Sequence, residues 1–202
     1  MSTAEAISHR SGIEGGAHDR IPDPEGQWFR WSARHPVASL LIVGAIATQM
    51  ATTIGYFLPA VKLPSLAWPL YSGVLAAPQS GYGTAGSFMV GELTHLLNGI
   101  VFAFVFGILL YRKLPFGYGA AGNMLKALTY GAALTILSSG VLVPFVYQAG
   151  KGYGLFSFSG PDGWKLPLAI LIWHLVYVVH IAALYNPSRA HKALLEEHLA
   201  AS

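Results

Sequence analysis

Cysteine is absent from the 202-residue chain. Disulfides, thiolate metal sites, iron–sulfur clusters, cysteine nucleophiles and covalent c-type haem attachment are excluded with it. Charge is scarce as well: Asp, Glu, Lys and Arg make up 10% of the residues, against roughly a quarter in an average soluble domain. The few cations give a net charge of +3 but flank apolar runs and form no basic stripe, so nucleic acid is not an expected partner. H-E-x-x-H, P-loop and G-x-S-x-G patterns are missing too, and nothing points to an enzyme in the isolated chain. Two G-x-G-x-x-G spellings, at 81–86 and 117–122, precede apolar segments with no βαβ unit around them. They read as flexible helix entries, not as dinucleotide loops.

What is present is apolar: 53% of the chain is hydrophobic, gathered into blocks separated by Gly, Pro and charge. Four blocks approach the ~20 residues that a helix needs to cross a hydrocarbon core. They fall at about 36–57, 87–111, 125–147 and 166–185, and predict an all-α integral membrane protein, a four-helix bundle over 35–187. Strands are not expected, because an open sheet would leave backbone groups unpaired in lipid and no block alternates as a barrel strand does. Residues 1–34 are polar and read as a disordered tail, with Trp28, Arg30 and Trp31 at the membrane surface. No cleavable signal peptide is expected there, since the first apolar block starts too far in and runs too long. Residues 188–202 read as a short C-terminal helix.

Lysine and arginine set the expected orientation. Arg10, Arg20, Arg30 and Arg34 precede the first span, Arg112, Lys113 and Lys126 fall around the middle loop, and Arg189 and Lys192 follow the last span. The other two loops hold only Lys62, Lys151 and Lys165. Both termini and the middle loop are therefore expected on the cytoplasmic side of a prokaryotic inner membrane. The two outer loops, around Leu63–Pro69 and Gly152–Phe158, are too apolar and aromatic for hydrated linkers, and are expected to fold back and roof a cavity.

Two spans carry a histidine in matching company, Thr94-His95-Leu96-Leu97-Asn98 and Trp173-His174-Leu175-Val176-Tyr177. An ionisable side chain within a span is costly and marks a functional site by default. Spans 1 and 3 also resemble each other, with small residues and a closing proline from Gly44 to Pro59 and from Gly131 to Pro144. Together these features suggest a parallel repeat of two helix pairs about an axis along the membrane normal, which would bring His95 and His174 to equal depth. Helical spacing places Glu92, His95, Gly99, Phe102 and Phe106 on one stripe with Asn98 beside it. On the last span His174 and Tyr177 share a face from which His180 is turned away. Gln49 is the one large polar residue of the first span. The lines Gly44/Thr48/Thr52 and Gly131/Thr135/Ser138/Ser139 read as packing faces.

Three functions fit Glu92, His95 and His174. The histidines suit the axial positions of a b-type haem, with Gly99 making room for the ring. The three together form a ligand set for a transition metal. A carboxylate beside an imidazole also suits proton relay or ion transport. Helix packing through hydrogen bonds to Asn98, Tyr177 or a carbonyl stands beside all three. The expectation taken forward is an accessory or cofactor-carrying subunit of a larger membrane complex or homo-oligomer in the lipid bilayer, with a small transporter or proton-conducting element and a non-catalytic assembly protein as alternatives.

His95-Leu96-Leu97-Asn98-Gly99, His174-Leu175-Val176-Tyr177-Val178 and the closing Ala183-Leu184-Tyr185-Asn186-Pro187 resemble a group of uncharacterised prokaryotic four-helix membrane proteins. In that group histidine-leucine is often followed by an aromatic and a glycine, and Val178 departs from the glycine. The resemblance spans about 44–187, implies the four-helix architecture and transfers no activity.

Overall fold

The computed structural model describes residues 24–81 and 83–201, and every described element is helical. The part of the predicted tail from Met1 to Asp23 lies outside the described residues. The remainder departs from the disordered reading: Pro24–Arg34 is a helix, α1. Its order has a tertiary cause. Trp28 donates its indole N–H to the Leu184 carbonyl at 2.7 Å, and buried Phe29 packs with Ala190 and Ala193 of the C-terminal helix.

Pro36 opens α2 (Pro36–Phe57), a position where a proline loses no helical hydrogen bond. A 3₁₀ turn through Pro59 extends it to Val61 and ends on Lys62 in the left-handed region at φ 63°. A short α3 (Trp68–Ala76) follows. α4 (Ala85–Phe104) is capped by the Thr84 hydroxyl, which accepts from the Ser87 amide. It continues as a π-helical segment from Val105 to Leu110. α5 (Ala120–Leu137) continues likewise from Ser138 to Tyr147, with Pro144 inside it. The wide π turn closes with the Gln148 amide donating to the Val143 carbonyl five residues back, at 2.8 Å. α6 (Lys165–Leu184) and α7 (Pro187–Ala201) complete the chain.

Four of these helices are long and apolar enough to cross a membrane, as expected from the hydropathy blocks. The main boundary shift is at α5, which begins at Ala120 where the apolar block begins near 125. Small and polar residues such as Gly122 and Asn123 hide that first turn from a hydropathy reading.

α2 packs against both α4 and α6, and α5 packs against α6, while α3 lies on α4 and α1 on α7. Small residues permit the closest approaches: a Cβ at Gly91 would stand 1.8 Å from the Pro69 carbonyl of α3. Leu40, Val43, Phe106, Ile170, Val178 and Ile181 form the centre of the core. α4 and α5 meet through side chains, Tyr130 donating to the Phe102 carbonyl at 2.9 Å and stacking on Phe106 at 5.3 Å. A strict two-fold exchange of the helix pairs would make this contact equal to that of α2 with α6. It is wider, because aromatic rings fill it where Ala47, Ala51 and Gly55 line α2.

Candidate functional site

His95 and His174 come together as the matched motifs suggest. Both are buried, 8% and 4% exposed, and both line one cavity of about 50 Å³ with Asn98, Gly99, Ser138 and Tyr177. Trp173 lies in ring contact with each, 5.5 Å from His95 and 5.1 Å from His174 between centroids, and stacks on Tyr177 at 5.7 Å.

The hydroxyls of α2 and α5 fix the imidazoles. Thr52 gives its proton to the Thr48 carbonyl at 2.8 Å, so its oxygen can only accept from His95 Nε2, 3.0 Å away. His95 Nδ1 is then the bare nitrogen. In α6 the assignment reverses. His174 Nδ1 faces the Ile170 carbonyl at 2.9 Å and must carry the proton. Thr135, already donating to Gly131, offers a second and longer acceptor at 3.4 Å. His174 Nε2 keeps its lone pair, with the Ser138 hydroxyl 3.4 Å away. Each imidazole thus has one nitrogen held as N–H and the other as a lone pair, and both rings line the same cavity.

Glu92 does not join them. Its carboxylate is bound by the Gln49 amide on the outer side of the α2–α4 contact. The i, i+3 spacing made a Glu92–His95 contact possible, but α2 supplies each residue with its own partner. Among the described residues no group of three or more His, Asp or Glu gathers as a metal site would require. Asn98 is exposed at the cavity's edge, and Tyr177 donates to the Gly99 carbonyl at 2.5 Å, tying α6 to α4. His180 is turned away and bonded to the Val176 carbonyl at 2.7 Å.

The cavity tests the cofactor expectations by size and donor set. A macrocycle needs the several hundred cubic ångströms typical of small-molecule sites, so a space of about 50 Å³ does not fit haem. Two nitrogens without Glu92 also fall short of the three or four protein ligands usual for a resident zinc. Water fits, at roughly 30 Å³ per molecule with two to four polar partners.

A second cavity of about 40 Å³, lined by Ser65, Tyr71, Gln148, Tyr153 and Asp162 among others, lies beneath the connections that flank α3 and precede α6. Those connections do roof a cavity. Trp68 and Tyr147, 5.5 Å apart between centroids, belong to the walls of both spaces. Gln148 Oε1 is buried there with no hydrogen bond from any described residue, which marks a place for water. Tyr177 lines the histidine cavity, and Val178 and Ile181, further along α6, belong to the buried core.

Thr52, Thr135, Trp173, Trp68 and Tyr147 are the site residues that sequence reasoning passed over. The Thr lines were visible at four-residue spacing, but as packing faces. No family model matches the chain, and comparisons with curated proteins and solved structures give no match. The likeness of the two histidine motifs to prokaryotic four-helix membrane proteins gains nothing from them.

Proposed function

We propose that this chain is a small multi-pass membrane protein that takes up and passes on protons at His95 and His174, as a proton-conducting element or as part of a larger membrane assembly. The observation that carries the reading is that two buried imidazoles, each with one nitrogen held on a fixed acceptor, line one water-sized cavity. A water there donates one hydrogen to His95 Nδ1 and the other to His174 Nε2, which accounts for the polarity of an otherwise apolar interior. A proton reaching that water passes to either imidazole, whose other N–H already rests on Thr52 or Ile170. The cavity beneath the connections supplies the approach, with the Trp68–Tyr147 pair as the barrier between the two spaces. Passage toward the termini requires Tyr177 to move.

The lysine and arginine distribution supports an orientation with both termini on the cytoplasmic side, and the membrane is read as a prokaryotic inner membrane. The haem and metal readings have less support, for want of space and of a third ligand. Proteoliposomes loaded with a pH-sensitive dye, under an imposed potassium diffusion potential, test the proposal. Wild-type protein is expected to speed proton entry, and His95→Gln with His174→Gln to return it to the rate of empty vesicles. Equal entry with and without both histidines would rule the function out.

A further inference from the structure

The end of the molecule that carries α1, α7 and the α4–α5 connection holds a polar feature separate from the histidine cavity. Lys126, in the second turn of α5, is 1% exposed. No described carboxylate pairs with it. Its ammonium sits instead 4.3 Å from the ring centroids of both Tyr111 and Tyr118. Ring faces attract a cation but do not neutralise it, and a buried ammonium without an anion is costly. The described carboxylates at this end are engaged elsewhere: Glu25 with Arg189, Glu196 with Lys192 and Glu197 with Arg34. Burial pushes the Tyr111 phenol up, so that group supplies no negative charge either.

The two caging tyrosines also wall an open hollow of about 350 Å³, together with Arg112, Tyr185, Ser188 and His191. No acidic residue lines it. Arg112 has no ion pair among the described residues. A guanidinium fork, an imidazole and several hydroxyls converge on one space, with a second cation behind its aromatic wall. This is the complement of a tetrahedral oxyanion, whose oxygens take bidentate donation from Arg and single bonds from hydroxyls. The hollow adjoins the ends of two apolar helices long enough to span a membrane, at Gly107 in α4's π segment and Tyr185 after α6, where a headgroup would be met if they span.

We propose that this hollow binds a phosphate group, held by Arg112 and facing Lys126 across the tyrosines, and carried by an anionic phospholipid or by a free phosphate. Occupation supplies the missing counter-charge and braces the α4–α5 connection against Ser188 and His191 of α7.

The test uses the full chain in phosphatidylcholine nanodiscs, with thermal midpoint as the readout. One arm replaces part of the lipid with phosphatidylglycerol, a second adds inorganic phosphate, and a third adds sodium chloride at matched ionic strength. A rise in midpoint with phosphatidylglycerol alone assigns the site to lipid, and a rise with inorganic phosphate as well assigns it to the free anion. Arg112→Gln, at an exposed position that does not threaten the fold, is expected to weaken the response about fivefold. Lys126→Met is expected to weaken the response by no more than Arg112→Gln does, while leaving the unliganded protein at least as stable as wild type. No rise in either phosphate arm, an equal rise with chloride, or a response unchanged by Arg112→Gln would overturn the proposal.

Discussion

The helix pairs α2/α4 and α5/α6 use one vocabulary with the assignments exchanged. In each, the first helix carries a glycine and two hydroxyl residues at four-residue spacing, Gly44/Thr48/Thr52 and Gly131/Thr135/Ser139. All four hydroxyls donate to the carbonyl one turn back, at 2.6–2.8 Å, and so turn their lone pairs outward. In each pair the second helix answers with a histidine. The difference lies in where the room is made. In α2/α4 both helices give way: Gly99 of the histidine helix is pressed against Thr48, and Gly44 of the hydroxyl helix against Ile100 and Ala103. In α5/α6 only the hydroxyl helix does so, at Gly131, whose space is filled by Val178. Val178 therefore stands where the histidine-leucine pattern calls for glycine because its partner has already given up a side chain. Close approach needs missing Cβ atoms, and they can come from either helix or from both.

The largest effect expected from this comparison is at Gly99. A Cβ there would lie 1.8 Å from Thr48 Oγ1 and 2.8 Å from Thr48 Cβ, both on a side chain held by its own hydrogen bond. Gly99→Ala is expected to cost about 3 kcal/mol or more, the upper range for overpacking. For a chain of this size that is a fall of about 6–12 °C in thermal midpoint. Gly131→Ala presses on the Val178 methyls, at 2.8 and 3.2 Å, and meets the His174 carbonyl at an ordinary 3.5 Å. It should cost about 1 kcal/mol. Thr48→Ala is expected to recover part of the Gly99→Ala loss, and Val178→Ala most of the Gly131→Ala loss. Equal costs for the two alanines would erase the distinction.

The same exchange shows what could be read from sequence. Four spans were legible because burial in lipid demands length and apolarity, and both are local properties of the chain. The pairing of His95 with His174 was legible because the motifs repeat. The partner of Glu92 was not. Its i, i+3 relation to His95 is a local signal, whereas its bond to Gln49 depends on how α2 rotates against α4, which is decided by the Gly44 and Gly99 contacts. The helix at Pro24–Arg34 was hidden for a like reason. Its composition is polar, and its order comes from Leu184, Ala190 and Ala193, more than 150 residues away.

A middle-sized effect is expected where the two pairs are tied together. The Tyr177 hydroxyl reaches from α6 to the Gly99 carbonyl of α4. Tyr177→Phe keeps the ring stacked on Trp173 and removes this one tie. The expected cost is about 1 kcal/mol, within the range of interhelical hydrogen bonds in membranes. A double-mutant cycle with Gly99→Ala should be strongly non-additive, since both changes act on one α4 turn. Additive losses in thermal unfolding would show that Tyr177 does not couple the pairs.

The smallest effect is the sharpest test of the exchanged assignments. Thr52 and Thr135 each face a histidine, Thr52 two turns and Thr135 one turn beyond the glycine of its line, and they carry unequal responsibility. Thr52 is the acceptor that His95 Nε2–H has, whereas His174 Nδ1–H rests first on the Ile170 carbonyl of its own helix and only then on Thr135. Valine at either position keeps the branched shape and removes the hydroxyl. Thr52→Val should leave a buried N–H unpaired and cost about 0.6–1.7 kcal/mol, while Thr135→Val should cost close to nothing. Nitrogen-15 spectra of labelled imidazoles provide the independent check. His95 is expected as the Nε2–H tautomer and His174 as the Nδ1–H tautomer, and Thr52→Val should disturb only the first. If both histidines show the same tautomer, or if Thr135→Val costs as much as Thr52→Val, then the two pairs hold their histidines alike and the lone pairs do not share the cavity.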